Sequence, residues 1–280
     1  MGTTMVICCS NDGKYVYQST IGVIYGSDDY GKNFKAFSIE STEWHGISCD
    51  PSGANIAVSS WSGKVYVSFD YGNNWKILTT TQYGGGTYIS SNKKILYYFG
   101  PGGLILRGVG DGYTIIGAVL NLNDTYQFWP RCKMASSENG NILYVTGGGG
   151  GKKCYMSNDG GQSWREINLE AGAYQGVACS TDRSIAYFAG ANGKLYQSTD
   201  TGVNWKNIQE GQSWYEVCCS ADGKKVFICG ETINYSFDGG KSWKNNTFDQ
   251  NNQNYSSICC SKDGSMVYVS WNQQGIFYLE

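Results

Sequence analysis

The chain is poor in the residues on which many enzymes and nucleic-acid-binding proteins depend. Its 280 residues include one histidine and three prolines, and only 16% of them are charged. The formal net charge of −2 provides no basic field for nucleic acid, so we expect no nucleic-acid partner. No apolar run is long enough to span a membrane, and we expect no membrane insertion. No stretch shows useful helical periodicity, which leaves strands as the expected secondary structure.

Cysteine, by contrast, is abundant, with eleven residues. An odd count, vicinal pairs and the lack of a signal-peptide pattern argue against a disulfide framework and favour a reducing, intracellular compartment. We expect small, packed thiols; the alternative is a ring of thiols that binds a soft metal. Because His45 is the only histidine, little else would complete such a site, and we expect no metal and no cofactor. Eight of the thiols fall in one recurring strand: Cys8, Cys9, Cys49, Cys179, Cys218, Cys219, Cys259 and Cys260.

One turn signature recurs five times, about 40 residues or a multiple of that apart. It reads Ser-x-Asp-x-Gly-x-x-aromatic. The Asp can accept hydrogen bonds from its own turn, and the Gly supplies positive φ. Alternating apolar residues precede each copy, which predicts the turn of a β-hairpin. The copies are Ser27, Asp29, Gly31 and Phe34; Ser68, Asp70, Gly72 and Trp75; Ser157, Asp159, Gly161 and Trp164; Ser198, Asp200, Gly202 and Trp205; and Ser236, Asp238, Gly240 and Trp243.

A second signature, a strand of small residues followed by a turn, interleaves with the first. Counting its clear and degenerate copies gives seven units of four predicted strands each. Four-stranded units repeated radially are the blades of a β-propeller. We therefore expect an all-β, seven-bladed propeller of antiparallel blades that forms a single domain over residues 1–280. The repeats span approximately 5–40, 45–80, 86–120, 132–170, 175–210, 215–248 and 256–280.

The turn signature resembles the Asp-box, the bacterial neuraminidase repeat found in sialidases, sortilin-type receptors and xyloglucanases. The resemblance covers nearly the whole chain and implies the propeller fold, but a turn motif implies little about activity. The third unit departs from the pattern between Arg107 and Tyr113. The seventh stops at Glu280, before an Asp-box and a fourth strand, so the last blade is expected to lack its outer strand. An unpaired edge there invites pairing with a partner, which predicts a possible oligomer.

The binding face is expected opposite the Asp-box turns, where the loops that enter the innermost strands meet those that join the second and third strands. Aromatic residues recur in these loops beside Asn, Gln and Gly. A ring that stacks on a sugar next to amide groups is typical of carbohydrate sites; alternatively, the rings fill gaps between blades. The candidate ligand-binding residues are Trp44, Tyr174, Trp214, Tyr255, Trp61, Trp271 and Trp129.

No catalytic constellation is marked, and we name no catalytic residue. A sialidase needs three arginines around the substrate carboxylate, but of the four arginines Arg165 and Arg183 are expected on the Asp-box side. A glycoside hydrolase needs two carboxylates across a cleft, and Glu43, Glu216 and Glu231 form no evident pair. A glycosidase is therefore the least favoured reading.

Two hypotheses remain. The first is a non-catalytic, lectin-like propeller whose partner is a glycan, bound at several weak sites that add through multivalency. The second is a structural or protein-interaction module of a larger viral, phage or cellular assembly. The recurring aromatic loops favour the first, which is the function that we expect from the sequence. The low charge and the unfinished last blade favour the second.

Overall fold

The protein is an all-β propeller of four-stranded antiparallel blades, here seen in a computed structural model. The structure describes residues 6–40, 43–80, 85–90, 92, 95–99, 104–110, 112–121, 133–147, 153–170, 172–182, 184–246, 255–271 and 276–279. Within these ranges no helix has the length and hydrophobicity needed to cross a membrane. The chain divides into two compact units, Met1–Cys132 and Lys133–Glu280. The single domain over 1–280 stays a prediction.

Unit 1 contains three four-stranded sheets, in which consecutive strands are neighbours. In the third sheet the chain forms a hairpin between β11 and β12, although its turn lacks a good copy of the signature. The strands are β1 (Val6–Cys9), β2 (Val16–Ser19), β3 (Ile24–Ser27), β4 (Lys35–Phe37); β5 (Trp44–Cys49), β6 (Ile56–Ser60), β7 (Lys64–Ser68), β8 (Lys76–Thr80); β9 (Thr87–Ile89), β10 (Ile95–Phe99), β11 (Leu104–Val109) and β12 (Thr114–Asn121).

Unit 2 contains three further four-stranded sheets and one sheet whose described part has three strands, so six complete blades and a partial seventh make up the described fold. The strands are β13 (Met134–Ser136), β14 (Leu143–Val145), β15 (Cys154–Ser157), β16 (Arg165–Ile167); β17 (Tyr174–Cys179), β18 (Ala186–Gly190), β19 (Lys194–Ser198), β20 (Lys206–Glu210); β21 (Trp214–Cys219), β22 (Val226–Gly230), β23 (Ile233–Ser236), β24 (Lys244–Asn246); β25 (Tyr255–Cys260), β26 (Val267–Trp271) and β27 (Ile276–Leu279).

Burial falls from the inner strands of a blade to its outer strand. Every residue of β6, β18 and β22 is buried, because apolar clusters cover both faces of these second strands. The fourth strands, such as β4, are mostly exposed. The apolar clusters lie between neighbouring blades: Tyr17 of the first blade and Val58 of the second belong to one cluster. The ten described cysteines are free, and eight are only partly buried.

The turns that join the first and second strands, here called inner turns, link neighbouring blades through the backbone. In unit 2 the N–H of Glu138 donates to the carbonyl of Thr181 (3.2 Å), and the N–H of Thr181 donates to that of Ala221 (2.8 Å). The N–H of Ala221 in turn donates to the carbonyl of Lys262 (2.6 Å). In unit 1 the N–H of Asn11 donates to Pro51 in the same way (2.9 Å). These bonds link the consecutive blades of unit 2 and the first two blades of unit 1.

Candidate functional site

The turns that carry the repeated signature, here called aspartate turns, are closed by their own hydrogen bonds. In the first blade Ser27 Oγ donates to Asp29 Oδ1 (2.7 Å) and accepts the N–H of Gly31 (2.9 Å). Asp29 Oδ1 also accepts the N–H of Asn33 (2.9 Å). This last bond is the largest cause of the low pKa of Asp29, about 2. The carboxylate is thus engaged by its own turn.

The residue after the Asp of each aspartate turn has a left-handed backbone. Its φ is 63° at Tyr30, 60° at Tyr71 and 60° at Thr201, whereas two other turns have glycine there, Gly160 and Gly239. The N–H of Tyr71 donates to the carbonyl of Ala54 in the inner turn of the same blade (3.0 Å). Side chains on these turns are therefore presented on a backbone that is held in place.

Most of the large exposed apolar side chains lie on the aspartate turns. In unit 1 they are Tyr30 (41% exposed), Phe69 (37%) and Tyr71 (40%). In unit 2 they are Val203 (67%) and Phe237 (58%). From the sequence, we expect the binding face on the opposite side of the blades. The exposed apolar side chains lie instead on the aspartate-turn face.

Unit 1 has a concave pocket of about 230 Å³ on this face, between its first and second blades. The Tyr15 and Tyr71 rings border it, with 4.5 Å between their centroids and an angle of 30° between their planes. The amides of Asn33 and Asn73 also line the pocket. An aromatic pair and two amides therefore converge on one concave site.

Four of the seven candidate ligand-binding aromatics are buried. Trp44, Tyr174, Trp214 and Tyr255 are at most 4% exposed. Each belongs to an apolar cluster that includes side chains of the preceding blade. Trp214 Nε1–H donates to the carbonyl of Gly193 (3.1 Å). This burial assigns the four rings to packing between blades, which was the alternative to ligand contact, and leaves no ring face for a sugar.

The other three candidates differ in position. Trp61 is half-buried, and its ring lies 4.7 Å from that of His45, whose pKa is lowered by burial. Trp271 ends β26 and pairs in register with Tyr255. Trp129 lies outside the described residues. Of these three, Trp61 is the one whose side-chain surroundings lie within the described structure.

Glu216, one of the acidic candidates, is engaged by a cation. Glu216 is buried and its carboxylate lies 2.6 Å from Lys133 Nζ, with the Ser257 hydroxyl at 3.4 Å. Arg165 donates to the carbonyl of Gly202 (3.0 Å) and has a structural bond there. Across the described ranges, no group of three or more His, Cys, Asp or Glu side chains is arranged to hold a metal ion.

Comparisons with known proteins support the fold. The DUF6242 beta propeller domain matches residues 131–260, which is slightly less than half of the chain. A structure described as YCF48 bound to D1 peptide has a TM-score of 0.73 and 13% identity, over 98% of this chain and 92% of that one. Hydrazine synthase of Kuenenia stuttgartiensis has a TM-score of 0.76 and 13% identity, over 100% and 96%. No curated protein matches the chain. Identity this low shows the fold alone.

Sequence reasoning missed the Tyr15–Tyr71 pair, but the repeat contains a signal for it. The position of Tyr15 in the inner turn is occupied in other blades by Asn55, Ile142, Ile185, Lys225 and Met266. An aromatic residue at a position that the fold fills with aliphatic and polar side chains is a departure from the repeat. Such departures, rather than the recurring residues, mark what is particular to one blade.

Proposed function

We propose that this chain is a non-catalytic binding propeller whose partner is a protein, and that unit 2 binds it through the aspartate-turn face of the sixth blade. The observation that carries the proposal is Phe237, a phenylalanine that is 58% exposed. The equivalent position is Asp28, Asn158 or Thr199 in three other aspartate turns. The turn therefore does not require an aromatic residue there, and an exposed aromatic at a rigid position is typical of an interface anchor.

Neighbouring rings support Phe237 from below. Its centroid lies 5.3 Å from that of Tyr235 and 6.2 Å from that of buried Phe227, in an edge-on contact. The N–H of Gly239 donates to the carbonyl of Lys224 (2.8 Å), which holds the turn against the inner turn of the same blade. The ring is thus pre-organised, and binding costs little conformational entropy.

Charge around Phe237 indicates the chemistry of the partner. Lys224, Lys241 and Lys244 are exposed in the same blade, and in the described part of the chain none of them makes an ion pair. Asp238 carries a lowered pKa, caused first by the hydroxyl of Ser242, and its oxygens are engaged within its own turn. We therefore infer a partner segment that combines an apolar side chain with flanking acidic residues.

One structural neighbour supports a peptide as the partner, because that propeller is described as bound to a peptide. A second neighbour is described as hydrazine synthase.

The turn signature, which resembles the Asp-box, also supports the proposal that this chain is one of the Asp-box propellers. Association of copies through the edge of β27 remains a prediction from the sequence.

The proposal is tested by selecting a phage-displayed library of random peptides on the purified chain and measuring synthetic hits by fluorescence anisotropy. We expect enriched peptides with an aromatic or aliphatic residue beside Asp or Glu. Phe237→Ser should weaken binding at least about tenfold, as loss of an anchor does. Phe69→Ser, the same change at the same turn position in unit 1, is the matched control and should leave binding unchanged. No enrichment, or equal binding by both variants, would contradict the proposal.

Carbohydrate binding is a second candidate function, and one observation favours it. The sequence suggested glycan contact through the aromatic loops, of which four rings are buried. The Tyr15–Tyr71 pocket of unit 1 instead combines an exposed ring with amide groups on the aspartate-turn face. This second function is independent of the peptide surface around Phe237.

A further inference from the structure

We propose that the pocket between the first and second blades of unit 1 is a binding site for a neutral saccharide, with Tyr71 as the stacking platform. This inference rests on carbohydrate binding, the second function above, and not on the protein partner. The pocket has a volume of about 230 Å³, somewhat below the range of about 300–1,000 Å³ typical of small-molecule sites, so it is suited to a single sugar ring. Its location differs from the loops that the sequence singled out.

The platform is held by the backbone rather than by side-chain packing alone. Tyr71 has a left-handed φ of 60°, and its N–H donates to Ala54 in the inner turn (3.0 Å). Tyr15 lies against it at 4.5 Å, and Lys14 Nζ lies 5.2 Å from the centre of the Tyr15 ring. These contacts fix the orientation of a ring that is still 40% exposed. A ring that is held in place and still partly exposed is suited to stacking on sugar C–H groups.

Polar groups beside the platform match sugar hydroxyls. Asn33 Nδ2 donates to Asp29 Oδ2 (2.7 Å), and Asn73 Nδ2 donates to the carbonyl of Asp70 (2.6 Å). An amide offers two N–H donors and a carbonyl acceptor, so each of these bonds fixes an amide and uses one donor. The second N–H and the carbonyl of each amide are therefore available, and both side chains are exposed. Donors and acceptors placed side by side are suited to hydroxyl groups, which both donate and accept.

Charge at the pocket favours a neutral ligand. One acidic side chain, Asp28, and one basic side chain, Lys35, belong to its lining, and both are exposed. Their charges cancel, so a strongly anionic or cationic ligand gains little net attraction. This distinguishes the pocket from the surface around Phe237, where exposed lysines predominate.

Two departures from the repeat create the pocket. Gly26 in β3 stands where other blades have Val67, Met156, Gln197 and Tyr235, and the missing side chain makes room for the Phe37 ring, which packs against Gly26. Tyr15 stands where other blades have aliphatic or polar residues, and it packs against Gly53 of the second blade. Because other blades form the same turns without these residues, the fold does not require them, and a binding role accounts for both.

The test uses variants that preserve the fold. Tyr71→Gly removes the ring at a left-handed position, where glycine is the favoured residue and where Gly160 and Gly239 stand in other turns. Tyr71→Phe keeps the ring. Tyr30→Gly makes the same substitution at the equivalent left-handed position of the first blade, outside the pocket lining, and is the matched control.

Binding of cellobiose, maltose, lactose and N,N′-diacetylchitobiose is followed by chemical-shift perturbation on the full chain. We expect at least one disaccharide to bind, with perturbed resonances at Asn33 and Asn73. Tyr71→Gly should weaken the affinity for that disaccharide at least about tenfold, while the affinities of Tyr71→Phe and Tyr30→Gly stay within about threefold of wild type. No binding by any of the four, or equal loss in Tyr71→Gly and Tyr30→Gly, overturns the inference.

The Phe237→Ser variant separates this inference from the protein-partner proposal. If the saccharide site is right, Phe237→Ser binds the disaccharide like wild type whether or not it binds peptides. If wild-type perturbations map to Trp61 and His45 instead of the pocket, carbohydrate binding survives as a function but the assignment of its site to Tyr71 is wrong.

Discussion

Lys262 Nζ lies 2.7 Å from Glu138 Oε1, although 124 residues separate the two side chains in sequence. Both residues occupy the second position of their inner turns, in the seventh and fourth blades of unit 2. The backbone of the same two turns is linked through Thr181 and Ala221. The ion pair therefore connects two ends of one hydrogen-bonded series.

The two ion pairs of unit 2 that join distant blades should differ in their contribution to stability. Glu138 and Lys262 are 63% and 38% exposed in their side chains, so Lys262→Met should change the free energy of unfolding by less than about 0.5 kcal/mol. Glu216 is 8% exposed, and Lys133→Met removes the cation beside its buried carboxylate, at a cost of about 3 kcal/mol. Urea denaturation of both variants measures the difference. Equal effects would contradict this reading.

Two buried tyrosines at equivalent positions should respond in opposite ways to loss of the hydroxyl. Tyr187 Oη donates to the carbonyl of Gly223 (2.7 Å) and accepts from Gln197 Nε2 (2.8 Å). Tyr144 Oη is buried and has no hydrogen-bond partner among the residues that the structure describes. Tyr187→Phe should cost about 1–2 kcal/mol, and Tyr144→Phe should be neutral or slightly stabilising. Thermal and urea unfolding of the pair checks this, and a larger loss in Tyr144→Phe would refute it.

Relief of backbone strain should stabilise the fifth blade. Thr201 is β-branched and has a φ of 60°, a conformation that such residues rarely adopt. Thr201→Gly keeps the N–H that donates to Ser184 and should raise the free energy of unfolding by about 0.5–1 kcal/mol. Thr199→Gly, at an exposed position without positive φ in the same turn, is the control and should lower it. A destabilised Thr201→Gly would show that the Thr side chain has a packing role.

Acid should weaken the blades through the aspartate turns. The pKa values of Asp29 and Asp200 are lowered to about 2, first by the N–H groups of Asn33 and Asn204. Because these values lie below the ordinary 3.8, the stabilisation is complete above about pH 4 and is lost as the pH falls toward 2. When urea unfolding is measured between pH 2 and 6, the midpoint concentration should decrease as the pH is lowered from about 4 to about 2. Asp200→Asn should flatten the fall, and an unchanged slope would contradict the assignment.

The repeat made the strand order predictable, because turn residues and alternating apolar residues act locally. In the described residues the seven predicted units correspond to six four-stranded sheets and one sheet with three strands. Even the third unit forms its hairpin, because Tyr113 adopts the left-handed conformation (φ 53°) and its N–H donates to Gly110. A partial copy of the signature is therefore sufficient to form the hairpin of the third blade.

The burial of the aromatic loops could not be read from the sequence, because it depends on how closely neighbouring blades approach. A side chain at Gly176 would meet the backbone of Glu216 in the next blade. At this spacing the Trp214 ring is buried against the preceding blade and does not contact solvent. The periodic pattern locates Trp214 along its strand but contains no information on the distance between blades.

The hydrogen-bonded inner turns of unit 2 also bear on how the protein can change in evolution. Each of Thr181 and Ala221 both donates to one neighbouring blade and accepts from the other, so one inserted residue would disconnect two blades at once. Among the described loops outside the inner turns, no residue has such a double link between blades, so a change in their length does not carry this penalty. New specificities are therefore expected to arise by substitution on the aspartate turns and by insertion in other loops, while the length of the inner turns stays constant.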